Sequence, residues 1–341
     1  MAKDKIRVGM VGLGVISWAH EGGFSEAADE CVITAMCDID AAKASDRASI
    51  HGAKAYTDYR ELINDPHVDL VDIILPHHLH YQAALDTIEC AKHLLIEKPL
   101  AITYAESLDI CQRARSKGVH FGVAENTRYV KAYIEAERVI KSGRLGDINL
   151  VRTFLPANEH ARLSLDDFWG KKASFGGGTI IDSGPHSFYL LKWLFGDFKE
   201  LQAFSSQLYQ LDSEVEDNAD VRGRLANGAD FLCSFSFTAE VPHSERLEVY
   251  GTNGSLIVDQ LNNPPVRLYS GADDFDGTPV DSVPYDSSGW HYFSIVDEIK
   301  DFILGVAEDR TPTVDPLDAA YSIKIVEKAY ESIRLKSVVQ V

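Results

Sequence analysis

Positive charge is scarce in this 341-residue chain: 33 Lys and Arg stand against 52 Asp and Glu, a formal charge of −19. A nucleic-acid binder needs a basic stripe to neutralise phosphates, and no such stripe interrupts the acidic background. Anionic membranes are disfavoured for the same reason. Long apolar runs are also missing, since no stretch approaches the roughly 18 residues that a membrane span requires. The charged start, with Lys3, Asp4, Lys5 and Arg7 ahead of a short apolar run, is wrongly flanked for a signal peptide. Cysteine is sparse and odd in number: Cys31, Cys37, Cys90, Cys111 and Cys233 contain no C-x-x-C pair and read as reduced, buried thiols of a cytoplasmic protein. Repeats and low-complexity tracts are absent, and with 45% hydrophobic and 25% charged residues the composition is that of a globular protein of about two domains.

The first third alternates short apolar runs with helical patterns, the signature of βαβ units and a parallel sheet covered on both faces. Ile6 to Val11, Val32 to Cys37, Leu70 to Leu75, Leu94 to Ile96 and Val119 to Ala124 read as strands. Helices are expected over about Leu79 to Ala91 and Thr103 to Lys117. After Asn126 the character changes. A helix near Tyr129 to Lys141 precedes mainly antiparallel sheet, with hairpins at Ala226-Asn227-Gly228-Ala229 and Thr252-Asn253-Gly254. Two helices, about Ser294 to Leu304 and Pro316 to Arg334, close the chain, after an acidic, Gly/Pro/Ser-rich excursion from Ser270 to Gly289. The expected fold is α/β, with a doubly wound parallel sheet over 1–125 and an α/β domain with a large, mainly antiparallel open sheet over 126–341. The C-terminal helix is a candidate to pack back on the first domain.

Directly after the first strand comes Gly12-Leu13-Gly14-Val15-Ile16-Ser17, a G-x-G-x-x-S form of the dinucleotide fingerprint. The first glycine permits the turn, the second lets backbone approach a pyrophosphate, and a small third residue lets helix pack on strand. Val15 and Ile16 fall in the phosphate loop itself. A glycine fingerprint alone is a weak signal, but here the second strand ends in Asp38, placed to bind ribose hydroxyls and repel a 2′-phosphate. That favours NAD over NADP, although Lys43 and Arg47 on the next helix could reach a phosphate.

Two further constellations carry chemistry. Glu97-Lys98-Pro99 follows an apolar strand at the end of a sheet where ligands sit, and Lys98 is placed to reach a substrate hydroxyl. Asp182 and His186, in Gly176-Gly177-Gly178-Thr179-Ile180-Ile181-Asp182-Ser183-Gly184-Pro185-His186, are four apart and share one helical face. A helix start at Ser183 or Gly184 accommodates Pro185. His186 can move a proton near neutral pH with Asp182 orienting it, the bland alternative being an Asp cap beside a core histidine. His77, His78 and His80 lack the spacing and companions of a zinc site, so no metal is expected, and contact with the nicotinamide half or helix capping is preferred. Asn126, Arg128, Arg152, Trp169 and Trp290 are weaker candidates for cofactor or substrate contact.

Together these segments resemble the glucose-fructose oxidoreductase, inositol dehydrogenase and rhizopine-catabolism family, Gfo/Idh/MocA. The resemblance rests on Gly12 to Ser17, Asp38, Pro76 to His80, Glu97 to Ala101, Gly176 to His186, the Val249 to Leu256 hairpin and the last helix. It implies a Rossmann domain, a second domain whose open sheet forms homodimers or homotetramers, and redox chemistry at a secondary or anomeric hydroxyl of a sugar, cyclitol or related polyol. By resemblance Lys98, Asp182 and His186 are catalytic, while His77 and Glu97 line the cofactor. A further Asp found in many members three residues after the histidine is Tyr189 here. The rival functions are an NAD-assisted glycoside hydrolase or lyase and a non-catalytic dinucleotide sensor.

Overall fold

Strands and helices alternate from the start of the chain, as the apolar runs require. In the computed structural model, residues 5–159, 170–209, 213–270, 279, 281–283 and 289–341 are described. The order is β1 (Ile6–Val11), α1 (Ser17–Glu26), β2 (Cys31–Cys37), α2 (Ala41–His51), β3 (Lys54–Tyr56), α3 (Tyr59–Ile63), β4 (Leu70–Ile73), α4 (His77–Glu89), β5 (His93–Glu97), α5 (Tyr104–Lys117) and β6 (Phe121–Ala124). There follow α6 (Lys131–Lys141), β7 (Ile148–Pro156), α7 (Lys172–Phe175), α8 (Thr179–Asp182), α9 (Gly184–Phe195), β8 (Phe198–Ser206), β9 (Asn218–Leu225) and β10 (Asp230–Ser236). The chain ends with β11 (Arg246–Gly251), β12 (Gly254–Asp259), β13 (Val266–Ser270), β14 (Asp281–Val283), α10 (Trp290–Glu308), α11 (Pro316–Leu335) and β15 (Val339–Gln340).

The chain divides into two compact units, 1–128 with 291–320, and 129–290 with 321–341. Division by compactness therefore differs from the single boundary near residue 125 that composition suggests, because 291–320 rejoins the first unit. In that unit six strands run parallel in the order β3-β2-β1-β4-β5-β6. The order reverses between β1 and β4, the switch point at which doubly wound sheets bind ligands. Helix ends follow local chemistry. Asp40 caps α2, Thr103 and Glu106 form a reciprocal capping box on α5, and Gly52 and Gly118 close these helices in the left-handed conformation.

Helix α10 completes the core of this first unit. Ile295, Ile299, Phe302 and Ile303 join Val8, Met10, Phe24 and Leu95 in one buried cluster. The approach is close at Gly22 and Gly23 of α1, where an added Cβ would lie 2.3 Å from the Tyr292 hydroxyl and 2.4 Å from Ile299. Trp18 stacks on Tyr292 with centroids 4.6 Å apart.

Among the described residues the second unit is built on nine strands in the order β14-β13-β12-β11-β7-β10-β9-β8-β15, antiparallel except for the β7–β10 pair. Both Asn-Gly hairpins form as their turns dictate, β9 with β10 and β11 with β12. Helix α9 packs on one sheet face: Ser187 Oγ donates to Thr153 Oγ1 at 2.8 Å, and Phe188 meets Phe198 and Phe235 edge to face. Complete burial of a side chain such as Phe188 contributes about 1.5–3 kcal/mol. Cys31, Cys37 and Cys233 are buried and Cys90 and Cys111 half-buried; burial pushes the Cys37 and Cys233 thiols up to about 12, which leaves them inert at neutral pH. Among the described residues no helix is long and apolar enough to cross a membrane.

Candidate active site

The nucleotide half begins where β1 turns into α1. Gly12 has φ 93°, and an added Cβ would lie 2.2 Å from the Ile74 carbonyl, so only glycine fits. Gly14 differs: no heavy atom lies within 4 Å of where its Cβ would be. The protein's own packing thus does not require the second glycine, whereas close approach of a diphosphate does. Ser17, fully buried, donates to the Gly14 carbonyl at 2.7 Å and ties the loop to the helix start. Ile16 precedes α1 without any side-chain cap, and the Ser17 and Ala19 amides donate to the Gly14 and Ile16 carbonyls at 3.2 and 3.0 Å. Val15 is 76% exposed beside them. These features fit a bound dinucleotide phosphate.

Asp38 follows β2. Its carboxylate accepts from the Leu13 amide at 3.0 Å, from the Asp40 amide at 3.0 Å and from Lys43 Nζ at 3.3 Å. Burial pushes its pKa up, but the two amides and Lys43 outweigh burial and hold it below the ordinary carboxylate range. Arg47 pairs with Glu21, which His51 also approaches, and it donates to Ser17 Oγ at 3.2 Å. The two cations that could reach a 2′-phosphate are therefore both engaged by acids.

At the ends of β4 and β5 the structure refines the expected histidine roles. His77 opens α4 after Pro76 and is buried, whereas His78 is exposed. His80 turns into the fold. Its ring is fully buried between the two strand-end turns, with Nδ1 2.8 Å from the Pro99 carbonyl and Nε2 2.7 Å from the Leu75 carbonyl. Burial lowers its pKa and the two carbonyls oppose that fall. Glu97 also turns inward, Oε1 3.2 Å from His20 Nε2, with 12% of its side chain exposed, while Lys98 beside it is half-buried. Asn126, buried, donates to Ser294 Oγ at 2.8 Å and is held within the unit's own core; Arg128 is half-buried in the short 3-10 turn over Asn126–Tyr129.

The second unit supplies the glycine-rich helix start. Asp182 ends α8 and His186 lies in the first turn of α9, with Ser183 between them at φ −88°, ψ −30°. One nearly continuous helical path therefore carries both, with Pro185 in the tolerated first turn. His186 is 8% exposed and Tyr189, on the next turn, is 3% exposed. The glycines before them are explained by contacts. An added Cβ would lie 1.9 Å from the Tyr330 hydroxyl at Gly177, and 1.8 Å from the Glu216 carbonyl at Gly178. Glu216 Oε1 accepts from the Gly178 amide at 3.1 Å, the Ile180 amide at 3.0 Å and Tyr330 Oη at 2.8 Å. Burial raises the Glu216 pKa despite these donors, and burial beside Glu216 raises that of Tyr330.

Glu216 and Tyr330 escape sequence reasoning because their partners lie 38 and 114 residues away. Asp72 had a signal, an ionisable residue inside an otherwise apolar strand, whereas His20 had none. Arg152 requires a correction: it alternates with Thr153, which faces α9, and so points to the opposite sheet face, where it pairs with Glu248 at 3.2 Å. It does not share a face with His186. Trp290 is half-buried, its ring 6.0 Å from that of His243, and Trp169 lies outside the described residues.

Comparison with known proteins decides the family. Residues 6–125 match the oxidoreductase family model with NAD-binding Rossmann fold, and residues 133–257 match the GFO/IDH/MocA C-terminal domain. The chain belongs to the Gfo/Idh/MocA oxidoreductase family. Among its relatives, myo-inositol 2-dehydrogenase of Thermotoga maritima is 24% identical, with 97% of each chain covered. The NAD(+)-dependent scyllo-inositol 2-dehydrogenase of Bacillus subtilis is 25% identical over 97% of this chain and 95% of that one. A solved levoglucosan dehydrogenase in complex with NADH and levoglucosan shares the fold with a TM-score of 0.90 at 24% identity, covering 99% of each chain. Within this Gfo/Idh/MocA frame the phosphate loop belongs to the matched Rossmann segment, and Asp182 and His186 to the matched C-terminal segment.

Proposed function

We propose that this chain is an NAD(H)-dependent dehydrogenase or reductase acting on a secondary or anomeric hydroxyl of a sugar, cyclitol or related polyol. The observation that carries the reading is the phosphate loop of Gly12 to Ser17, its second glycine open to a ligand, joined through the Leu13 amide to a deprotonated Asp38. Bound nicotinamide supplies the hydride acceptor or donor. In the oxidative direction His186 takes the hydroxyl proton, Asp182 orients His186, and Lys98 donates a hydrogen bond to the same oxygen as alkoxide charge develops. His77 borders the cofactor. Asp38 and the engagement of Arg47 by Glu21 favour NAD over NADP.

The inositol and levoglucosan dehydrogenases among the relatives support a neutral polyol substrate. We further infer self-association through the open sheet, whose outer face exposes Phe154 and Phe204. The test of function is a screen of aldoses, ketoses, cyclitols and anhydrosugars with NAD and NADP separately, following absorbance of the reduced cofactor. Turnover with NAD is expected, and a preference for NADP would overturn the role given to Asp38. Tightly retained cofactor with polyol turnover but no net NADH would instead indicate transient oxidation coupled to elimination.

A further inference from the structure

The first unit buries several acids around one imidazole. His20, on the inner side of α1, places Nδ1 3.0 and 3.2 Å from the two Asp72 oxygens and Nε2 3.2 Å from Glu97 Oε1. His20 and Asp72 have no exposed side-chain surface. Each ring nitrogen faces a carboxylate, and both contacts are hydrogen bonds only when both nitrogens carry protons. Glu298 of α10 is also buried and faces Glu97, Glu125 and His20, with the Glu125 backbone amide beside its carboxyl group. Glu125 accepts from the Thr127 amide and hydroxyl, and His80 feels the charge of Glu97 from α4.

We propose that His20 is a positioning residue for Lys98: anchored on Asp72 of β4, it holds the Glu97 carboxylate inward and so fixes the Glu97-Lys98-Pro99 turn. Neighbouring residues at a strand end leave the backbone in opposite directions, so pinning Glu97 inward sets the direction in which Lys98 leaves. Without that bridge Glu97 would be a flexible side chain at the end of a strand. Burial works against a charge on His20, but Asp72 and Glu97 outweigh it and push its pKa up to about 10. Burial and the neighbouring Glu97 and Glu125 push the Glu298 pKa up, against the pull of His20. The cluster thus sets one imidazole between the Asp72 and Glu97 side chains, with the buried Glu298 beside them. The inference rests on the role given to Lys98 above.

The experiment uses the full chain with NAD bound. In the wild type, 15N spectra of labelled histidine are expected to show both His20 nitrogens protonated at about pH 8; a neutral His20 ring there would overturn the proposal. The double variant His20→Gln with Asp72→Asn removes both charges while keeping their size. It is expected to fold, to bind NAD within about threefold of wild type, and to exchange the amides of residues 97–100 at least about tenfold faster while β1 stays protected. With an active polyol, kcat should fall by about tenfold or more with KM changed less than about twofold. Unchanged exchange and unchanged kcat would show a purely structural pair and sink the idea. Should the double variant not fold, Glu97→Gln carries the same readouts. An inactive wild type would defeat the proposed function, while the spectra and the exchange rates would still decide this inference.

Discussion

At the scale of single residues, Lys98 and His186 carry separable expectations. Replacing either one, Lys98→Met or His186→Asn, should lower kcat by about 10²–10⁴-fold, with the NAD dissociation constant, measured by fluorescence titration, nearly unchanged. Loss of NAD binding together with activity would mark a folding defect instead. Asp38→Ala should narrow the preference for NAD over NADP, read as the ratio of kcat/KM values. Arg47 stays on Glu21, but Lys43 loses its Asp38 partner and becomes available to a 2′-phosphate. The His20 pair makes a prediction about pH. Its folded pKa of about 10 exceeds the ordinary 6.5, so its contribution to stability is full below about 6.5 and is lost as pH rises through about 10. Buried Asp72 and Glu298, both raised chiefly by burial, also lose stability with rising pH, but that loss begins in the ordinary carboxylate range, below the His20 window. Urea melts between pH 7 and 10 should show stability falling, and the His20→Gln, Asp72→Asn double variant should flatten that slope.

At the scale of elements, the start of α8 is the most constrained stretch of the candidate site. Gly178→Ala would push a methyl group into the Glu216 carbonyl, which is backbone and has no rotamer to yield. Such overpacking costs roughly 1–3 kcal/mol, and displacement of Asp182 should add a loss in kcat beyond what stability explains; unfolding curves and single-turnover rates separate the two. Thr103→Ala breaks the α5 capping box and should cost about 1 kcal/mol by chemical denaturation, with kcat unaffected. What was legible in the sequence follows from locality. The β1-Gly12 turn, Asp38, the Asn-Gly hairpins and the long helices each announce themselves within a dozen residues, through period, punctuation or a cap. The three residues of β3 and the five of α3 are too short to show a period. Glu216, which holds the helix start, and the inward turn of Glu97 depend on partners brought close only by the fold. Arg152 looked like a candidate because a strand gives no sign in sequence of which face a helix will cover.

At the scale of the whole molecule, the exposed Phe154 and Phe204 yield a prediction about assembly: Phe154→Asp with Phe204→Asp should reduce the mass measured by light scattering toward that of one chain. If the mass stays at one chain in the wild type as well, the outer sheet face is not where copies meet. Excess NAD should raise the unfolding free energy by about 2.7 kcal/mol at a hundred times its dissociation constant, with protection strongest around β1 and α1. The tight seating of α10 against Gly22 and Gly23 also has a consequence for the order of events during synthesis. The nucleotide unit is begun by β1 to β6, which leave the ribosome well before Ile295, Ile299, Phe302 and Ile303 of α10. Until then the face of α1 that receives them remains open, a long-range closure of the kind that slows folding and invites association. A fragment of residues 1–128 should accordingly precipitate or bind hydrophobic dye, and adding 291–320 through a flexible linker should restore a cooperative melt. In this chain, an early-made domain waits for a late-made helix.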